Sequence, residues 1–442
     1  MSASPASRKA FQAVVAFSLL VRLIALYFAR NATFAADAQD YTGVAHQFAS
    51  GQPFIPYWPP GMSLYLAPLV AAGASAWMLR ASVLVFWLMA CWGLYRLMRA
   101  TKTDGAAWLV LLVFSLLPDS IQMAIEPMTQ MPMAALLIVM LSSAVKVVRG
   151  APLAEYLLLG TSLGVMSLVR PSAAPLMIFV PLACALSSKK ILPALASAVI
   201  GISLVGCWMV HVHAFTGRWI INTANGVNIY NGNNPWTPPY RTWYFGSHAK
   251  PGTAEIADFP EFEQVLLNVY SLPTLDQSAE FQRLAVIYIR QHPGAFLYRT
   301  SNRVRSYFGF DTFTSAALTG QRWMGLRIFP IVLLFEILFY LLIAGTAVFW
   351  IAQAPRRFWR DPANWILLGT IVIYGAPYWI SMSHPTYHFP VLLPLAVLGA
   401  IAWRASSQES THRLRGWIAL VVLALVQAEW IWQLSRSAAS HL

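Results

Sequence analysis

Apolar residues run along this chain in long blocks separated by short polar segments. Such runs fall at 11–28, 79–98, 105–121, 128–148, 153–169, 172–187, 191–214, 328–352, 363–382, 387–403 and 416–434, most of them near the roughly 20 residues a helix needs to cross a bilayer. A twelfth run, 62–76, is shorter, contains Pro68 and has no positive cluster on either side. The pattern predicts an all-α polytopic membrane protein with about 11 transmembrane helices and amphipathic helices on its outer face.

Lys and Arg decide how these runs are threaded, because they concentrate in cytoplasmic loops. If 62–76 does not cross, the clusters Arg8/Lys9, Arg96/Arg99/Lys102, Lys146/Arg149, Lys189/Lys190, Arg356/Arg357/Arg360 and Arg404/Arg413/Arg415 all fall on one side. If it crossed, every later cluster would move outward. We therefore read 62–76 as a re-entrant or surface-lying part of a first outer loop at 30–78. Three parts follow: an N-terminal transmembrane module at 1–214 that contains this loop, a long outer loop at 215–327, and a C-terminal transmembrane module at 328–442. The first run is long for a signal segment and holds Arg22, so it is read as an uncleaved span.

Composition agrees with the pattern and narrows the partners. Of 442 residues, 58% are hydrophobic and 11% charged, and mean hydropathy is +0.56, which places most of the chain in lipid. The net charge of +13 is spread over loops rather than gathered in a basic stripe, so a nucleic-acid partner is not expected. Cys91, Cys184 and Cys207 sit inside apolar runs; neither a disulfide framework nor paired zinc spacing is present, and all three read as buried packing residues.

The threading gathers the informative polar residues on the outer side. In 37-DAQDYTGVAHQFASG-51, Tyr41, Val44, Ala45 and Phe48 recur at helical spacing, as in a helix lying on the membrane surface. Asp37 stands one turn before Tyr41 at the helix start, where it serves either as an N-terminal cap or as a functional carboxylate; Asp40 is a second acid beside it. Glu126, in 118-PDSIQMAIEPMTQMP-132, is either helix-start chemistry next to Pro127 or a functional acid at membrane depth. The first of these readings applies more strongly to Asp119. Arg170, before Pro171, is an outer arginine that breaks the charge pattern, and reads as an interfacial anchor or the contact for an anionic ligand.

The long outer loop opens with 222-NTANGVNIYNGNNPWTPPY-240. Its amides at Asn228, Asn231, Asn233 and Asn234, interleaved with Tyr230, Trp236 and Tyr240, suit a sugar or head group, although Asn and Gly are also ordinary turn residues. His384 and His388 are four apart beside Tyr387, but Pro385 and Pro390 work against a regular metal-chelating helix. No phosphate-binding Gly-rich loop, nucleophile elbow or zinc-protease motif occurs.

In order and in common side, these motifs resemble the GT-C glycosyltransferases, the membrane class that includes the protein O-mannosyltransferases and the lipid A aminoarabinose transferases. The resemblance runs over about 11–405. It rests on Asp37, Tyr41, Gly51 and Pro59/Pro60 in the first outer loop, on Glu126, on Arg170/Pro171, on Gly232 to Pro235, and on Tyr387 to Pro394. It implies that Asp37 is the catalytic acid/base and that Asp40, Tyr41, Glu126, Arg170, the four asparagines, His384, Tyr387 and His388 bind donor or acceptor. The implied donor is a polyprenyl-phosphate sugar, and the implied step is one inverting displacement. The acceptor is a glycan, lipid or protein at the outer, periplasmic face of a bacterial inner membrane. No cofactor is implied, and a need for divalent metal stays open. Three positions depart from the family: Ala38 follows Asp37 where many members have Glu, Trp58 stands where the aminoarabinose transferases have Lys, and Thr386 precedes Tyr387 in place of Arg. Phosphate charge then falls to Arg80, Arg170, Arg303 or Arg305. The rival readings are a transporter or flippase of lipid-linked sugars, for which no internal repeat is visible, and a sugar polymerase or ligase with a diphosphate donor.

Overall fold

The computed structural model describes residues 5–52, 54–237, 252, 256, 259–407 and 413–439; Tyr240 lies outside them. Among the described residues the only strands form a two-residue hairpin, Arg322–Trp323 against Leu326–Arg327. The rest of the architecture is helical.

Helix α1 (Pro5–Phe28) shows one face to lipid through Phe17, Leu20, Ile24 and Phe28 and turns Ser18, Arg22 and Leu26 inward. An arginine buried in a span needs its protons accepted. Arg22 donates to the Ser18 carbonyl at 3.0 Å and to the Ser120 carbonyl and hydroxyl at 3.1 and 2.7 Å, with the Trp87 ring centroid 3.4 Å away. The segment 30–78 folds in part into α2 (Ala36–Ser50) and α3 (Pro60–Ala71), which pack on each other. The twelve residues of α3 rise only about 18 Å, too short for a crossing.

Helices α4 (Ala76–Ser82) and α5 (Leu84–Ala100) continue one another as a single spanning stretch. The run expected at 105–121 is instead divided into α6 (Ala107–Leu116) and α7 (Pro118–Gln122). Leu117 between them is extended at φ −61° and ψ 121°, because the ring of Pro118 disfavours helical backbone in the residue before it. Helix α8 (Gln130–Val148) is the central pillar, and 17 of its 19 residues are buried; a helix apolar on all sides belongs in the middle of a bundle.

Helix α9 (Leu153–Val169) leads through α10 (Leu176–Ser188) to α11 (Ile191–Thr216). Small residues let the backbones of α9 and α11 touch: a Cβ added at Gly160 would lie 2.5 Å from the Ser197 carbonyl oxygen, and one at Gly164 would lie 2.9 Å from that of Gly201. Cys91 and Cys184 are buried, as expected, whereas Cys207 on α11 is exposed on the lipid-facing side, a position that costs a thiol little in lipid.

The segment 215–327 contains α12 (Ala224–Gly232), α13 (Pro260–Tyr270), α14 (Thr274–Gln291), α15 (Pro293–Tyr307) and α16 (Phe313–Ala317). It has a small core of its own around Tyr230, Phe262, Leu266 and Phe281. The chain then re-enters the bundle as α17 (Ile328–Ala352), the short α18 (Arg356–Arg360), α19 (Pro362–Ile380), a 3-10 turn at Pro385–Val391, α20 (Leu392–Ser406) and α21 (Arg413–Ala439). Spans from both ends of the sequence share one core: α8 packs on α5 and α9 and also on α19 and α20.

Among the described residues nine helical stretches are long and apolar enough to cross a bilayer. Asp104–Leu116 and Leu153–Val169 are shorter apolar helices, and a count of eleven crossings requires both of them.

Candidate active site

At the end of the bundle where α8 and α19 meet the segments 30–78 and 215–327 lies an open cavity of about 440 Å3. Six stretches build it: the start of α2, the Trp58–Pro59 turn, the Arg170–Pro175 turn, Asn222 with helix α12, Gln282 of α14, and the segment from Pro377 to Tyr387. Among the described residues lining it, Asp37 is the only acid and Arg170 the only base.

Asp37 is held on the first turn of α2, which is capped by Ala35 at φ −59° and ψ 156° without a side-chain bond. The carboxylate is therefore inside the helix rather than its N-cap. It is half-buried, while Asp40 is exposed and does not line the cavity. Tyr41, one turn on, is buried and lines the wall next to Trp58, with ring centroids 5.6 Å apart. Burial first, and then the Asp37 charge, pushes the Tyr41 hydroxyl above the usual phenol range.

Arg170 is extended at φ −146° and ψ 113° because Pro171 follows it, and this ends α9 and turns the side chain across the top of α8. Its Nε donates to Thr129 Oγ1 at 2.7 Å and its Nη1 to the Tyr378 hydroxyl at 3.1 Å. Nη2 makes no hydrogen bond among the described residues. Thr129, at the N-cap of α8, thus fixes Arg170 to the central helix at this end of the bundle. Tyr378 also shares a hydrogen bond with Ser172 at 2.8 Å and stacks on Tyr387, ring centroids 4.6 Å apart and planes 16° apart. The Arg170 guanidinium lies 5.4 Å from the Tyr387 ring centroid.

The Asn-rich segment divides by function. Asn228 lines the cavity, together with Asn222 and Asn225. Asn231, Asn233 and Asn234 do not; they build the scaffold behind it. Asn233 Nδ2 donates to the Ile229 and Ile380 carbonyls at 2.9 Å each, while Asn234 caps its own turn by accepting the N–H groups of Trp236 and Thr237 at 3.0 and 2.7 Å. The Asn231 carbonyl accepts the Thr237 hydroxyl at 2.8 Å. Gly232 is where α12 meets the end of α19: a Cβ there would fall 1.7 Å from the Ser381 carbonyl oxygen.

The other expected site residues fall outside the lining. Glu126 accepts Arg80 Nη2 at 2.8 Å, and Arg80 also donates to the Ala32 and Thr33 carbonyls at 3.1 and 2.9 Å. Burial raises the Glu126 carboxyl above its ordinary range, opposed by Arg80 and by the Ala35 N–H. The pair thus anchors the segment that leads into Asp37. Asp119 belongs to a different buried group with Asp311 and Glu336; burial, and then those two charges, push its carboxyl well above the usual range. His384 accepts the Thr386 N–H at 3.2 Å to start the 3-10 turn, and His388 bonds the Tyr307 carbonyl. His388 is buried and His384 partly buried around the turn that presents Tyr387. Among the described residues no cluster of three or more His, Cys, Asp or Glu could hold a metal ion.

Of the four arginines considered for phosphate, Arg170 alone lines the cavity. Arg80 is consumed by Glu126, Arg303 by the carbonyls of Gly232, Trp379 and Ile380, and Arg305 lies 3.3 Å from Glu429. Sequence reading missed Thr129, Tyr378, Ser172 and Gln282. The Tyr374–Tyr378 pair, one helical turn apart ahead of the late aromatic and proline stretch, was the available signal for the stacked wall.

No protein-family model and no curated protein matches this chain. Solved structures of the Archaeoglobus fulgidus oligosaccharyltransferase are similar to it. The complex with zinc and sulfate has a TM-score of 0.48 and 13% identity, covering 94% of this chain and 51% of that one. The complex with an inhibitory peptide and a dolichol-phosphate has a TM-score of 0.41 and 12% identity over 93% of this chain and 54% of that one. The form tethered to an acceptor peptide gives 0.37 and 14% over 93% and 53%. The chain thus spans about half the length of these structures, and at such identities and scores the likeness transfers no function.

Proposed function

We propose that this chain is a GT-C type membrane glycosyltransferase that moves a sugar from a polyprenyl-monophosphate donor to an acceptor hydroxyl at the outer face of a bacterial inner membrane. The observation that carries this reading is the pairing, in one cavity at the end of the bundle, of one carboxylate, Asp37, with one guanidinium, Arg170, the only charged residues among its described lining; Arg170 Nη2 makes no hydrogen bond among the described residues. A lipid-linked sugar cannot leave the bilayer, so its head group must react where such a cavity opens.

The acceptor hydroxyl attacks the anomeric carbon, and Asp37 takes the proton as the new C–O bond forms. The bond from the anomeric carbon to the phosphate oxygen breaks, and its electron pair leaves with the phosphate, which Arg170 holds. One displacement inverts the anomeric centre. One cation among the described lining residues suits a monophosphate leaving group; a diphosphate would call for more positive charge than they offer. The Tyr378–Tyr387 pair provides flat apolar faces for a sugar ring, and Asn225 and Asn228 provide amides for its hydroxyls.

The test is reconstitution of purified protein with a synthetic polyprenyl-phosphate sugar, after mass spectrometry of the lipids that copurify has identified the head group. Release of free polyprenyl phosphate together with a glycosylated acceptor is the expected result. Transfer of the intact lipid-linked sugar between leaflets without cleavage would instead establish the flippase reading and end this one.

A further inference from the structure

The opposite end of α8 carries a second cavity, a groove of about 740 Å3 walled by Trp92, Tyr95, Arg96 and Arg99 of α5 and by Lys146 and Arg149. The 19 residues of α8 rise about 28 Å, close to the roughly 30 Å hydrocarbon thickness of a bilayer. The groove therefore sits at the membrane interface opposite the candidate active site.

Its charges do not cancel. Glu155 accepts Arg96 Nη2 at 2.6 Å and Lys146 Nζ at 3.0 Å, and Asp361 pairs with Arg149 at 3.2 Å where both are exposed. Arg99 makes no hydrogen bond or ion pair among the described residues; it is exposed, with its guanidinium 5.9 Å from the Tyr95 ring centroid. Four cations thus face two carboxylates. Membrane orientation alone requires basic residues on this side, but neither a cavity nor aromatic platforms beneath them. Arg96 lies 4.3 Å from the Trp92 ring centroid, a second such platform.

The approach to the groove is apolar. Val85, Leu88 and Trp92 stand exposed on α5 at helical spacing and lead straight to Arg96 and Arg99, while Leu153 and Leu157 stand exposed beside Glu155 on α9. A free anion has no use for such a stripe. A phospholipid does, because its acyl chains must lie against the spans while its head group meets the cations.

We propose that this groove binds the phosphodiester head group of an anionic glycerophospholipid of the leaflet opposite the active site, with Arg99 and Arg149 holding the phosphate and Trp92 at the glycerol level. Basic pockets at this depth recognise such head groups.

The test is native mass spectrometry of the full-length protein released from an equal mixture of phosphatidylglycerol and phosphatidylcholine. Preferential retention of phosphatidylglycerol is expected, and Arg99→Gln/Arg149→Gln should weaken it about 30-fold, some fivefold for each arginine near the surface. Trp92→Ala should weaken retention without changing the preference for the anionic head group. Equal retention of the two lipids by the unaltered protein overturns the proposal, whether or not the variants fold. So does displacement of the bound lipid by millimolar inorganic phosphate, which would make the groove a site for a free anion.

Discussion

Arg170 reaches the Tyr378 hydroxyl at 3.1 Å through Nη1, joining the turn after α9 to the end of α19 and leaving the rest of its planar fork toward the cavity. A lysine keeps the charge but lacks the rigid fork that bonds Thr129 and Tyr378 while presenting Nη2 to a ligand. Arg170→Lys is therefore expected to raise the donor KM and lower turnover by about 100-fold. Steady-state kinetics with a synthetic donor checks this. A lysine variant with unchanged donor dependence would return Arg170 to the role of interfacial anchor.

Glu126 and Arg80 give a contrasting prediction, because both are buried and face the loop before α2 rather than the cavity. Removing one partner leaves the other charge uncompensated. Glu126→Gln is expected to cost about 3 kcal/mol of stability, seen as a lower melting temperature in detergent, with the donor KM little changed in the protein that remains folded. Arg80→Met/Glu126→Met should recover much of that loss. A Glu126→Gln protein of normal stability but poor acceptor binding would instead place Glu126 in the active site.

The asparagines separate by location. Asn233→Ala removes bonds to the Ile229 and Ile380 carbonyls and is expected to lower the melting temperature. Asn228→Ala removes only a cavity-lining amide and is expected to leave stability alone while raising the KM for donor or acceptor severalfold. Melting curves and kinetics of the two variants, measured side by side, decide between scaffold and contact.

How far the sequence could be read follows from what each signal depends on. Nine of the eleven expected spans were legible because apolar runs and alternating charge report the bilayer directly, whereas at Pro118 and at the 3-10 turn Pro385–Val391 local backbone constraints overrode a continuous run. That Asp37, Tyr41, Arg170 and Tyr387 lie at one end of the bundle followed from threading alone. Their convergence with Tyr378 and Thr129 did not, since it depends on α8 carrying α9 and α19 on different flanks. Composition could not distinguish Asn228 from Asn233, because an amide facing solvent and one bonding a carbonyl are written with the same letter. Glu126 was singled out for sitting at membrane depth; its partner Arg80, 46 residues earlier, meets that cost without any ligand.

Threading itself can be checked in a background lacking the three cysteines. Cysteines placed at Lys102 and Arg357 are expected to react with an impermeant maleimide only after permeabilisation, and one at His292 to react from outside. Labelling of position 102 in intact cells would overturn the alternation and move the cavity to the other side of the membrane.

Asp37 carries the heaviest prediction. Its side chain is on the first turn of α2, where Ala35 already occupies the cap position, so the helix does not depend on it for capping. Asparagine preserves shape and most hydrogen bonding but cannot take a proton from the acceptor. Asp37→Asn is therefore expected to lower turnover by about 100-fold or more with saturating substrates, while donor binding, measured by equilibrium retention of the lipid, changes little. The acidic limb of the pH–rate profile, which reports ionisation of the base, should disappear with it. Asp40→Asn, on an exposed side chain away from the cavity, should stay close to the unaltered rate. Near-normal turnover in Asp37→Asn would mean that no carboxylate among the described lining residues acts as base, and the proton would have to leave by way of Tyr41, the phosphate or water.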